Sequence, residues 1–301
     1  MADTQGRARL AVKAGERGLT SRAAAPEFRA MRPLTEADLP RAAALSARAG
    51  WNQNDDDWRV FLCDGAVRAL DDGDSACLAA SAAVLPFGTE LAWISMVLVR
   101  PDRRRQGIAT ALMRWAIEAA GDRRCVALDA TPDGREVYRW LGFRDAFGFT
   151  RWRVPRPVAA PLIAVRPIRA ADWPALLAAD ASAFGAAREA LLRSFAVRLP
   201  QAGWIAEDGS GFVLGRDGLR LPEIGPVLAA DGPTALALIA AAQRRVGTPV
   251  LIDLSDRAED IGAALVEAGG ERLRPFTRMA RGGTLPGDAR RLIAMAGPEF
   301  G

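Results

Sequence analysis

Residues 93–110 read Trp93-Ile94-Ser95-Met96-Val97-Leu98-Val99-Arg100-Pro101-Asp102-Arg103-Arg104-Arg105-Gln106-Gly107-Ile108-Ala109-Thr110. An apolar strand ends at Arg100-Pro101. An arginine-rich turn follows, and Ala111-Leu112-Met113-Trp115-Ala116-Ile117 continues as an amphipathic helix. The turn carries an Arg-x-x-Gly-x-Ala pattern from Arg104 to Ala109. A helix N-terminus leaves backbone N–H groups unpaired and carries partial positive charge, which suits a phosphate. Gly107 permits a left-handed backbone and close approach of a ligand. Ala109 keeps the next turn low, and Arg104 and Arg105 add charge. An arginine-rich surface turn before an ordinary helix would read the same way, so the neighbouring sequence has to decide.

One β-α step downstream stands Tyr138-Arg139-Trp140-Leu141-Gly142-Phe143, which contains the only tyrosine of the chain. A phenol is a proton donor for a departing anion. The two motifs together resemble the GCN5-related N-acetyltransferase (GNAT) family. The stretches Ala92–Val99, Leu128–Phe143 and Ala296–Gly301 extend that likeness to a subfamily with two tandem domains. The resemblance implies that Arg104, Arg105, Gln106, Gly107, Ile108, Ala109 and Thr110 hold the pyrophosphate of acetyl-CoA. It implies that Val97, Leu98 and Val99 pair with the pantetheine arm and that Thr131 also contacts the cofactor. It makes Tyr138 the general acid for the leaving thiolate. Some members carry a glutamate base where this chain has Trp93, so deprotonation is expected to pass through ordered water, with Glu90, Asp129 and Ser95 as anchors. The acceptor side falls on the loop Ala49–Trp58, with Trp51, Asn52 and Trp93 as substrate-binding residues. Asn54 to Asp57 also read as a simple cap of the following helix.

Composition narrows the chemistry. The chain of 301 residues is long enough for two domains and half of it is hydrophobic. There is no histidine, which removes imidazole bases and histidine-ligated zinc sites. Lys13 is the only lysine, which argues against P-loop and Schiff-base chemistry. The net charge of +4 is modest and the arginines are spread along the chain, so no nucleic-acid surface is expected. No apolar run is long enough to span a bilayer. Cys63, Cys77 and Cys125 have no metal-type spacing and cannot all pair, which points to a reducing cytoplasm and no metal. Residues 1–27 are rich in Ala, Gly and Arg without apolar periodicity and are expected to be a disordered tail, with a transit peptide as the weaker reading.

The chain also repeats itself. Met31-Arg32-Pro33-Leu34 leads to Asp38-Leu39-Pro40, and Val165-Arg166-Pro167-Ile168 leads to Asp172-Trp173-Pro174. Each reads as a strand, a turn and a helix opened by Asp with Pro in the first turn. Phe149-Thr150-Arg151 is echoed by Phe276-Thr277-Arg278. Pro155, Pro157 and Pro161 mark the seam. The pattern predicts a mixed α/β fold: two tandem domains over 28–154 and 162–301, each a mixed sheet flanked by helices. In the second, residues 211–215 and 219–221 read as a hairpin, 223–229 as a strand and 234–246 as a helix. The counterpart turn Ala230-Asp231-Gly232-Pro233 has lost the Arg-x-x-Gly-x-Ala pattern.

The expected function is N-acetyl transfer from acetyl-CoA to a primary amine of a small molecule, in the first domain, by a monomer or homodimer without nucleic-acid or membrane partners. The alternatives are an acyl-CoA sensor without catalysis and an enzyme acting on protein N-termini or lysines. The second domain would narrow the acceptor cleft against protein substrates.

Overall fold

The two echoing openings fold alike. Arg32 holds Asp38 with both terminal nitrogens at 2.7 and 2.6 Å, and Arg166 holds Asp172 at 2.7 and 2.8 Å. The same carboxylates accept from the backbone N–H of Thr35 and Arg169, so each fixes the entry to a helix whose second residue is proline. The computed structural model describes residues 31–73, 76–247 and 249–301; the expected tail and the strand start at Phe28 lie outside these.

From each opening the chain runs through the same order of elements. The first half has β1 (Met31–Pro33), α1 (Leu39–Arg48), α2 (Asp55–Asp64), β2 (Ala66–Leu70), β3 (Ala80–Phe87), β4 (Leu91–Val99), α3 (Ile108–Ala119), β5 (Cys125–Ala130), α4 (Pro132–Trp140) and β6 (Arg144–Val154). The second has β7 (Val165–Pro167), α5 (Trp173–Phe184), α6 (Glu189–Arg198), β8 (Trp204–Ala206), β9 (Gly211–Arg216), β10 (Glu223–Ala229), α7 (Gly232–Val246), β11 (Val250–Ser255), α8 (Glu259–Glu267) and β12 (Glu271–Gly282). A short additional strand, β13 (Leu292–Ala294), follows. The fold is mixed α/β, as the alternation of strands and helices predicts. The expected hairpin arm at 219–221 is a loop; β9 pairs with β10 instead, because Leu219 and Arg220 are drawn off to bond with Asn52 of the first half.

All thirteen strands among the described residues form one sheet, in the order β1-β2-β3-β4-β5-β12-β6-β11-β13-β10-β9-β8-β7. The centre of this order joins the halves. β12 inserts between β5 and β6, pairing Thr277 with Ala130 on one side and Phe276 with Phe149 on the other. β6 in turn pairs with β11, Trp152 opposite Ile252. Each half therefore lends its last long strand to the penultimate strand of the other. The edge of β5, whose backbone groups must be paired once buried, is completed only by the second half.

Helices α1 and α2 share one apolar core with α5 and α6, including Trp58, Phe61, Trp93, Phe184 and Phe195. Phe300 lies in its middle, stacked on Phe61 at 5.3 Å between ring centroids and edge-on to Phe195 at 5.6 Å. The other face of the first-half strands is covered by α3 and α4, with Met113, Ala116 and Phe143 on Ile94 and Leu128.

A fragment ending at Arg156 would leave β5 without β12 and β6 without both neighbours. It is expected to aggregate in size-exclusion chromatography and to show no cooperative thermal transition by circular dichroism. A monomeric fragment with a sharp transition would contradict this dependence.

Candidate active site

β4 and β5 run parallel and pair only through Leu91–Trp93 and Cys125–Ala127. Beyond this they part. A cavity of about 280 Å³ opens at the parting, with Ile94, Ser95, Met96 and Val97 on its β4 side and Leu128, Asp129 and Thr131 on its β5 side. β4 also carries a bulge: Ser81 lies opposite Leu98 and Ala83 opposite Ser95, so β4 has one residue more than β3. Met96 takes up the bulge with φ +52°, and the Ser81 hydroxyl donates to its carbonyl at 2.8 Å. Bulges re-aim the chain and release backbone groups from a ladder.

The turn that follows β4 leaves the N-terminus of α3 without a side-chain cap. Gly107 is the residue before α3, with φ +84°. A Cβ on Gly107 would meet nothing within 4 Å, so the space above the first turn of Ile108, Ala109 and Thr110 is open. The neighbouring arginines divide into two kinds. Arg100 and Arg103 both bind Asp72, at 2.6 and 2.8 Å. Arg104 and Arg105 make no ion pair among the described residues and are exposed, Arg105 with φ +62°. Arg104 lies along the strand end, its Nε 3.4 Å from the Val99 carbonyl, while the Gln106 amide reaches the Asp102 carbonyl at 3.5 Å. Leu98, paired with Ser81, points its side chain into the core instead.

Tyr138 lines the cavity from α4. It stands one turn after Gly134, and a Cβ on Gly134 would come within 2.9 Å of the tyrosine ring and 3.2 Å of its hydroxyl. Glycine at this position is thus what lets the ring lie against the helix. Phe143 holds the other side at 6.3 Å between centroids. Burial pushes the phenol up to about 12, so it stays protonated at neutral pH, the form a general acid needs. No described residue hydrogen-bonds to the hydroxyl.

The acceptor side is made by both halves. Trp51 and Asn52 line the cavity, yet Asn52 spends its side chain on structure. Its Oδ1 accepts from the N–H groups of Arg220 and Leu221 at 3.0 and 3.2 Å, and its Nδ2 donates to the Leu221 carbonyl at 2.9 Å. Asn52 therefore pins the β9–β10 loop of the second half over the first half's cavity. Trp93 does not form the expected pocket wall. It is fully buried in the shared core because Leu91 and Trp93, before the bulge, share the face of β4 that packs on α1 and α2, and its indole N–H donates to the Pro298 carbonyl at 3.1 Å. Among the expected base anchors, Glu90 is exposed in the β3–β4 turn, away from the cavity. Asp129 lines the cavity but is gripped by Arg278 through both oxygens at 2.9 Å. Ser95 has a buried hydroxyl with no partner. Asn54 caps α2, accepting from the Asp57 N–H at 3.1 Å, and Asp57 is buried against Arg216 and Arg198 at 2.7 and 2.9 Å. Of the second-half lining residues, Leu251, Leu273, Arg274, Phe276, Pro298 and Glu299 escaped the sequence reading. Only the Ala296–Gly301 stretch gave a signal for two of them.

The second half repeats the geometry and closes it. β10 and β11 pair through Glu223–Leu251 and Ile224–Ile252 and then part as β4 and β5 do. Here β13 occupies the parting, pairing Ala294 with both Val227 and Leu254. The helix behind it is capped: Asp231 accepts from the Thr234 N–H at 2.8 Å, which puts a carboxylate where the first half leaves an open N-terminus.

Comparison with known proteins agrees with this twofold construction. Residues 28–143 match the acetyltransferase (GNAT) family and residues 176–294 match the acetyltransferase (GNAT) domain. The chain belongs to the GNAT superfamily of acyltransferases. Among relatives of this GNAT chain is the holothin acyltransferase of Pseudoalteromonas sp. (strain SANK 73390), 28% identical over 234 residues, which span 74% of this chain and 77% of that one. The fold matches the crystal structure of a Pyrococcus horikoshii protein assigned as an acetyltransferase, with a TM-score of 0.75, 18% identity and coverage of 90% of this chain and 95% of that one. It also matches a tandem GNAT protein from the clavulanic acid biosynthesis pathway, with a TM-score of 0.58, 15% identity and coverage of 83% and 97%.

Gly134→Ala tests the seating of Tyr138. Alanine favours a helix over glycine by about 1 kcal/mol, so the thermal midpoint should hold or rise, while the displaced phenol should lower acyl transfer at least tenfold. Unchanged turnover would show that the ring tolerates a shifted position.

Proposed function

We propose that this protein transfers an acetyl group from acetyl-CoA to the primary amine of a small molecule, in the cavity between β4 and β5, with Tyr138 as general acid. One observation carries the reading. Of two topologically equal clefts, only the first is open, uncapped and supplied with a tyrosine, while the second is filled by β13 and capped by Asp231.

The residues present fit the donor. The uncapped turn Gly107–Thr110 would take its pyrophosphate, with Arg104 and Arg105 neutralising charge. The β4 backbone at Val97 and Val99 would hold the pantetheine arm, with Thr131 across the cleft. When bound, acetyl-CoA supplies an activated thioester carbonyl. Tyr138 would give its phenolic proton to the departing sulfur, and the low polarity that pushes this phenol up to about 12 keeps the proton on it until then. Ser81, by fixing the Met96 carbonyl, keeps the bulge in the shape the cleft requires. The acceptor is read as a small molecule because the cavity is only about 280 Å³ and the loop pinned by Asn52 closes over it. The name of the holothin acyltransferase supports acyl transfer to a small molecule.

Two measurements test this. Titration calorimetry with acetyl-CoA should give one site per chain, lost in Gly107→Glu; two equivalent sites would contradict the closure of the second cleft. Tyr138→Phe should lower turnover on a primary amine by roughly 10²–10⁴-fold with donor affinity unchanged. The wild-type rate should show no alkaline fall below pH 10, the ordinary tyrosine value, because the phenol titrates above it.

A further inference from the structure

The acetyl-transfer reading needs a group that receives the acceptor's ammonium, and the position where the first half would supply it holds Trp93. The cavity contains two carboxylates, Asp129 and Glu299. Asp129 has both oxygens on Arg278. Glu299 uses one oxygen, Oε1, on Arg216, and Oε2 accepts no hydrogen bond from any described residue. We infer that Glu299, carried by the second half, is the carboxylate that binds the acceptor's ammonium in the first half's cavity and takes its proton; this rests on the acetyl-transfer reading above.

The carboxylate is held in place from three sides. Gly297, with φ +112°, turns the chain, and the Phe300 N–H closes that turn on the Gly297 carbonyl at 3.0 Å. The Trp93 indole grips Pro298, the residue before Glu299. Phe300, the residue after it, is buried between Phe61 and Phe195. The linked buried cluster around it holds more carboxylates than guanidinium groups, while Arg220 and Arg274 line the cavity outside that cluster. Arg151, Arg198 and Arg216 are linked by ion pairs to Asp57, Glu223, Asp253 and Glu299, three guanidinium groups against four buried carboxylates. Asp217, the other partner of Arg198, is 45% exposed and solvated. Within this cluster one carboxylate is in excess, and a buried charge calls for a partner.

The proton balance closes. One N–H bond of the ammonium breaks as an O–H bond forms on Glu299, and that proton leaves through the cavity mouth to solvent. The freed nitrogen lone pair forms the C–N bond of the amide as the C–S bond breaks. The sulfur takes the Tyr138 phenolic proton, and the second proton lost by nitrogen restores the phenol.

Glu299→Gln keeps the shape and the bond to Arg216 but removes the charge. With tyramine, putrescine and benzylamine as probes, it should lower kcat/KM at pH 7 by at least a hundredfold and weaken amine binding in calorimetry without acetyl-CoA at least tenfold. Donor affinity should stay unchanged. The defect should shrink as pH rises toward the amine's own pKa, where deprotonation no longer needs a carboxylate. Glu299→Asp, which keeps the charge, should recover part of the activity and guards against a folding defect in the glutamine variant. A glutamine variant that binds and acetylates these amines as wild type does, or whose loss is the same at every pH, would overturn the role of Glu299. A wild-type protein that binds acetyl-CoA yet acetylates none of them would overturn the acetyl-transfer reading, and with it this one.

Discussion

Arg216 is fully buried and binds three carboxylates from three separate parts of the chain: Asp57 of α2, Glu223 of β10 and Glu299 near the last residues. Few interactions in the protein join so many distant segments at one atom group. A buried ion pair adds little net stability over well-packed apolar residues, but leaving one partner alone costs about 3–5 kcal/mol. Its weight here lies in joining α2, β10 and the C-terminal segment at one buried point. The planar guanidinium suits this task, since its donors point in fixed directions in one plane. Burial drives the Asp57 carboxyl upward and the arginines pull it back, so the cluster is stable only as a whole.

The same topology appears twice with opposite outcomes. In the first half the parting of β4 and β5 stays open, and the helix behind it begins at a bare glycine. In the second half β13 satisfies the parted strands and an aspartate satisfies the helix. The backbone groups that would bind a ligand in one copy bind the chain itself in the other. The freed second half serves instead as a wall, through the β9–β10 loop held by Asn52, and as the source of β12.

The parts legible in the sequence are those written in local pattern. The β4 strand, the open glycine before α3, the tyrosine of α4 and the paired Arg–Asp openings depend on neighbours a few residues apart, and they stand where the spacing puts them. The parts that were not legible depend on pairing across the chain. Nothing in Glu271–Gly282 announces that it pairs with Cys125–Ala130, because the choice of a partner strand about 150 residues away leaves no mark in local pattern. Trp93 read as a pocket residue by its position, yet strand alternation turns it to the core, and only the fold supplies Pro298 as its partner. Glu299 lay in the Ala296–Gly301 stretch, which marked the subfamily likeness but not the distant cavity that it lines.

The exchange of β6 and β12 also bears on how the molecule comes into being. Strand β5 waits for a partner about 150 residues later in the chain, so its pairing is among the most non-local in the protein, and contacts of this kind slow folding. During synthesis the first half emerges with that edge open and the open edge is prone to wrong pairing. The cavity cannot be complete until residues 271–301 have left the ribosome, and a nascent chain carrying every motif of the first half is still not a working site.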